Sequence, residues 1–77
     1  MIRKRDELIL LRNNKNWSQR DVIELLNIRY SVSISESYYG MIEQGSRFPS
    51  LNVAIAIAKL FKVSPESIFK KRTEMKI

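Results

Sequence analysis

The side chains best placed to do chemistry lie in ISESYYGMIEQGSRFP, residues 34–49 of a 77-residue chain. Ser35 can serve as an N-cap whose hydroxyl takes up a free backbone N–H. Gly45 can supply the left-handed residue that ends a helix, leaving about two and a half turns between them. On a helical period Tyr39 and Ile42 share a face with room to be buried, while Glu36, Ser37, Gly40, Met41 and Gln44 point elsewhere. That outward set offers a carboxylate, a hydroxyl, a thioether and bare backbone, which are groups for hydrogen bonds and apolar contacts with a surface. A helix this short is not stable alone, so the rest of the chain must support it.

Composition narrows what that surface meets. The chain has no histidine and no cysteine, which removes disulfides, the usual zinc ligand sets and the commonest nucleophile and base pairs. No Gly-rich phosphate loop is present, and the acids sit at helix starts or beside basic residues, where capping or solvation explains them. The expectation is no enzyme, no metal and no cofactor. Fourteen Lys and Arg against eight Asp and Glu give a net charge of +6, which favours an anionic partner such as nucleic acid or an acidic lipid surface. A solvated basic face carries the same charge without any partner. Residues 8–11 are too few for a signal-peptide core of about 7–15 apolar residues, and no segment approaches the ~20 that span a bilayer. Together with the absent cysteines this indicates a cytoplasmic protein.

The supporting elements read as short helices. Residues 4–15 carry Leu8 and Leu11 with Arg12 and Lys15 near the end, where cations suit the helix dipole, and Asn16 can take a left-handed conformation. Ser18 caps QRDVIELL, with Asp21 completing a capping box and Trp17 packing on Val22 as a staple. Val22, Ile23, Leu25 and Leu26 form its buried side, leaving Gln19, Arg20 and Glu24 outside. Asn27 can close this helix, and residues 27–33, NIRYSVS, read as a loop. Ser33 with Glu36 also fits a capping pattern, which would start the third helix two residues early. Past Gly45, Pro49 and Ser50 open a fourth helix, LNVAIAIAKLF, with an apolar stripe of Leu51, Ala54, Ile55, Ile57, Ala58 and Phe61. Ser64 and Pro65 start a short fifth, from which Ile68 and Phe69 close the core. Residues 71–77 read as a frayed basic tail to a domain of residues 1–70. One core of this size supplies only about 3–5 kcal/mol.

Five helices with these boundaries resemble the Cro/repressor (Xre-like) helix-turn-helix family. The likeness runs over residues 4–70 and rests on SQRDVIELL, ISESYYGMIEQGSRFPSL and IAIAKLFKVSPESIF in that order and spacing. It implies an all-α, compact five-helix, lambda-repressor-like domain with helices two and three as the DNA-binding pair. One departure stands out: Leu26 to Ser35 leaves roughly six residues beyond the usual turn of about four, so either helix two is longer or the turn is enlarged. Asn27 and Lys62 stand where the family commonly has glycine.

The resemblance also implies site residues. In this docking geometry the second helix lies in the major groove and the first crosses the backbone. Glu36, Ser37, Gly40 and Met41 then face bases: Glu36 can accept from cytosine N4, Ser37 can bond several bases, and Met41 or Tyr38 can touch a thymine methyl. Glu36 is equally explained by the helix dipole. Phosphate contacts fall to Ser18, Gln19, Tyr38, Arg47 and the amides from Gly45 to Phe48, with Arg20 and Arg29 open between phosphate and solvent. Arg12 and Glu43 are the positions that pair across helices one and three, a structural role. One unit reads about half a site, so double-stranded DNA with a palindromic operator and a homodimer are the implied partners, with Ile9, Leu10 or the 69–77 end as dimer contacts. The function so implied is a transcriptional regulator, a repressor. The rival is a protein-interaction module of the same fold, such as an antirepressor or antitoxin-like adaptor, and RNA binding comes third for want of an exposed aromatic platform.

Overall fold

Serine caps and left-handed stops set the boundaries of the helices. The computed structural model describes residues 4–69, and among them it holds five helices and no strand: α1 (Asp6–Asn14), α2 (Gln19–Tyr30), α3 (Glu36–Gln44), α4 (Leu51–Phe61) and α5 (Pro65–Ile68). The five-helix expectation is met, and residues 71–77, read as a tail, lie outside the described residues.

Each long helix after α1 starts on a serine whose hydroxyl accepts a backbone N–H three residues on. Ser18 accepts from Asp21 at 3.0 Å, Ser35 from Tyr38 at 3.0 Å and Ser50 from Val53 at 3.4 Å. Such caps stabilise a helix by about 1 kcal/mol apiece. Asp21 returns a bond to the Ser18 N–H at 2.9 Å, completing the capping box. Since Ser35 is the cap of α3, the earlier start on Ser33 is not used. Gly45 ends α3 at φ 82°, a torsion that disfavours any side chain, and the Gly45 and Ser46 amides close back on Ile42 and Met41 carbonyls. Asn16 and Lys62 also take left-handed torsions, Lys62 as the last cap of α4.

Two expectations are corrected. Asn27 does not end α2; the helix runs on to Tyr30, and Ser31 stops it at φ 57° with its N–H on the Asn27 carbonyl. Most of the extra length between the two central helices is therefore helix, and the connection is the five residues Ser31–Ser35. The stripe of α4 is also rotated. Leu51 and Ile55 are exposed, whereas Val53, Ala56 and Leu60 are buried beside Ala54, Ile57, Ala58 and Phe61.

The core is built on Leu8, Val22, Leu26, Tyr39, Ile42 and Ile57, all without exposed surface. α3 packs against α1 and α2, while α4 packs against α2 and α5. Trp17 lies with its ring 5.7 Å from that of Phe61, joining the α1–α2 link to α4. Ile68 and Phe69 close the base. Phe69 thus faces inward, and of the α1 residues considered for contact between copies Ile9 is half-buried and Leu10 exposed.

Candidate nucleic-acid interface

The two faces of α3 differ in kind. Tyr39, Ile42 and Glu43 are buried, and Glu36, Ser37, Met41 and Gln44 are exposed. The leading end is open: Ser35, Glu36 and Ser37 lie in solvent, while Val32 and Ile34 of the preceding SVSIS segment pack back on the core.

The inner face is held by a charged network. Glu43 is 1% exposed and accepts from Arg12 Nε at 2.6 Å and Nη2 at 3.1 Å. Arg12 Nη1 also donates to the Trp17 carbonyl at 3.0 Å, so one guanidinium joins α1, the α1–α2 link and α3. Gln19 adds its amide N–H to Glu43 Oε1 at 2.9 Å, bringing the start of α2 into the same cluster. Hydrogen bonding to Glu43 raises the Arg12 pKa, which keeps the guanidinium charged at every relevant pH.

Tyr39 is the odd member. Its hydroxyl is buried beside this pair without a hydrogen bond of good geometry, and burial, then the charge of Glu43, push its pKa up. An unbonded buried hydroxyl opposes folding by about 1–3 kcal/mol, so Tyr39→Phe should melt at the same temperature as the unaltered protein or higher. A thermal melt checks this; a drop of several degrees would mean the hydroxyl is bonded in solution.

Arg5, which nothing in the sequence singles out, secures the far end of α3. Its Nη1 donates to the Ile42 carbonyl at 2.6 Å and the Arg47 carbonyl at 3.1 Å, and its guanidinium lies 5.2 Å from the ring centres of both Phe48 and Phe69. Its main-chain N–H bonds the Glu43 carbonyl at 2.8 Å. Desolvation lowers the Arg5 pKa, consistent with a partly covered guanidinium.

The residues expected at phosphates gather around α3. Arg47 stands over the Tyr38 ring at 5.9 Å, and both border the exposed face. Ser18 is exposed at the start of α2. Gln19 is not an outside residue as expected: it is half-buried, and one of its two amide protons is engaged by Glu43. The exit loop is also less free than expected. Amides of Gly45, Ser46 and Arg47 bond to carbonyls of α3, leaving the Phe48 N–H as the one of the four without an acceptor among the described residues.

Gly40 sits where α3 approaches α2. A methyl placed on it would stand 3.5 Å from Gln19 Oε1, an ordinary contact. Glu36 is not isolated, because Arg20 of α2 reaches it at 3.7 Å. Among the described residues no three acids gather as a metal site, and no helix is long and apolar enough to cross a membrane.

This pairing of a supported helix with an open leading end is the helix-turn-helix arrangement, and a family model described as helix-turn-helix matches residues 8–68. The chain belongs to the Cro/repressor (Xre-like) helix-turn-helix family. This is a family of DNA-binding transcription regulators, generally non-enzymatic, and its domain implies double-stranded DNA as ligand. No curated protein and no solved structure matches the chain.

Proposed function

We propose that this helix-turn-helix protein is a sequence-specific repressor that reads the major groove with α3 as a homodimer on a palindromic operator. The observation that carries the reading is the uncovered start of α3, where Ser35, Glu36 and Ser37 are exposed above a face locked by Tyr39, Ile42 and Glu43. Glu36, Ser37, Gly40 and Met41 supply the base-facing surface. Ser18, Gln19, Tyr38, Arg47 and the Phe48 amide flank it as phosphate contacts, Gln19 through its second amide proton. A net charge of +6 supports the same partner.

Two recognition helices on a palindrome must be related by a two-fold axis. We place the contact between copies at the exposed apolar side chains Phe48, Leu51 and Ile55, just past the α3 exit, with a second copy as occupant. Repression is what occupancy alone produces, since a dimer seated on a promoter excludes polymerase. Chain chemistry without cysteine suits the reducing cytoplasm.

Random duplex DNA titrated at two salt concentrations tests the reading. Binding should saturate and weaken steeply with salt, by a log–log slope of about −0.9 for each phosphate engaged. A duplex recovered from a randomised pool should take up two copies per site. No saturable binding at low salt would sink the proposal and favour the adaptor alternative.

A further inference from the structure

Arg20 is the second residue of α2, exposed, and from there it crosses to the first residue of α3. Its Nη1 lies 3.7 Å from Glu36 Oε1, and its Nε lies 3.6 Å from Glu24 Oε2 one helical turn along. Neither contact is short enough for a hydrogen bond of ordinary strength, and ion pairs this exposed stabilise a fold by about 0–1 kcal/mol at most. Folding therefore gains little from the arrangement. Its effect is positional: a guanidinium with unfilled donors and a carboxylate with unfilled acceptors stand side by side at the open end of α3.

In the major groove a G·C pair shows two acceptors, guanine N7 and O6, next to one donor, the cytosine amino group. Arginine meets the first two with its planar fork, and glutamate meets the third. A lone Glu36 would enter a groove lined with phosphates as an unpaired anion. With Arg20 beside it, the pair is neutral and carries both halves of the complement.

We propose that Arg20 is a specificity-determining residue which, together with Glu36, reads a single G·C base pair in each half-site. The inference rests on the DNA-reading function proposed above and adds a residue of α2 to its base-reading set. Arg20 supplies the fork to guanine, and Glu36 accepts from cytosine.

The test is selection from a randomised duplex pool by the unaltered protein and by Arg20→Ala, Arg20→Lys and Glu36→Gln, followed by affinities for the selected site and for the same site with its G·C replaced by A·T. Arg20 is exposed, so melts should show all variants folded. The unaltered protein should select one fixed G·C position per half-site and lose about tenfold or more in affinity when that pair is changed. Arg20→Ala and Arg20→Lys should both lose that preference and leave other positions alone, because lysine keeps the charge and lacks the fork. Glu36→Gln should weaken the preference at the same position. If Arg20→Lys keeps every preference, or Arg20→Ala lowers affinity evenly for all duplexes and reduces the salt slope by about one phosphate, Arg20 touches backbone only and the inference is overturned. Failure of the unaltered protein to bind any duplex overturns the functional reading and the inference with it.

Discussion

Arg12→Ala is expected to leave the protein largely unfolded at room temperature. Removing one partner of a buried ion pair costs about 3–5 kcal/mol, and a single core of this size supplies about the same. The deletion would strand Glu43, 1% exposed, with Gln19 as its one remaining side-chain donor, and would release the Trp17 carbonyl as well. Chemical denaturation with circular dichroism measures the loss. Two further variants separate cause from correlation. Glu43→Leu alone should be less damaging, since Arg12 is 15% exposed and can turn toward water. Arg12→Met combined with Glu43→Leu should recover much of the stability, because a well-packed apolar pair replaces a buried ionic one at little cost. If Arg12→Ala melts like the unaltered protein while DNA binding falls, the pair serves the ligand and not the fold.

Arg5→Ala should be the second most damaging change, lowering stability by about 2 kcal/mol and the melting midpoint by roughly 10 °C. The bonds to the Ile42 and Arg47 carbonyls are charge-assisted, and two aromatic rings lose the cation they share. The damage should be local before it is global. Amide exchange at Ser46 and Arg47, whose N–H groups both bond to the Met41 carbonyl, should speed up more than exchange in α4. Arg5→Lys should fall between the two, retaining the charge and one reach to a carbonyl. Equal exchange rates at Ser46 in the two proteins would remove Arg5 from the support of α3.

The residues that mark helix ends were readable because their work is local. Ser18, Ser35, Ser50, Gly45 and Pro65 each act on atoms within four residues, so the sequence carries both partners in one short window. The end of α2 was not readable, since Ser31 is a residue that seldom adopts a left-handed torsion and nothing near it announces the stop. The face of α4 failed for another reason. LNVAIAIAKLF is apolar nearly all round, so its periodicity fits more than one rotation, and only packing against α2 and α5 selects Val53 and Leu60 over Leu51 and Ile55. Arg5 was missed as a support of α3 because its partners lie far along the chain, 37 residues away in the case of Ile42. One basic residue among fourteen Lys and Arg has no local mark to distinguish it. Arg20, by contrast, was legible as a basic residue at the start of α2 but gave no sign that Glu36 would stand beside it.

The glycine inside α3 imposes a thermodynamic cost that the surrounding architecture does not demand. Gly40 has no left-handed torsion, and an alanine there would touch Gln19 at an unstrained distance while recovering about 1 kcal/mol of helix propensity. Leaving the methyl off keeps a shallow notch between the first turn of one helix and the middle of its neighbour. If α3 reads DNA as proposed, a sugar or base would settle there against main chain, and the fit would be a matter of shape as much as of charge.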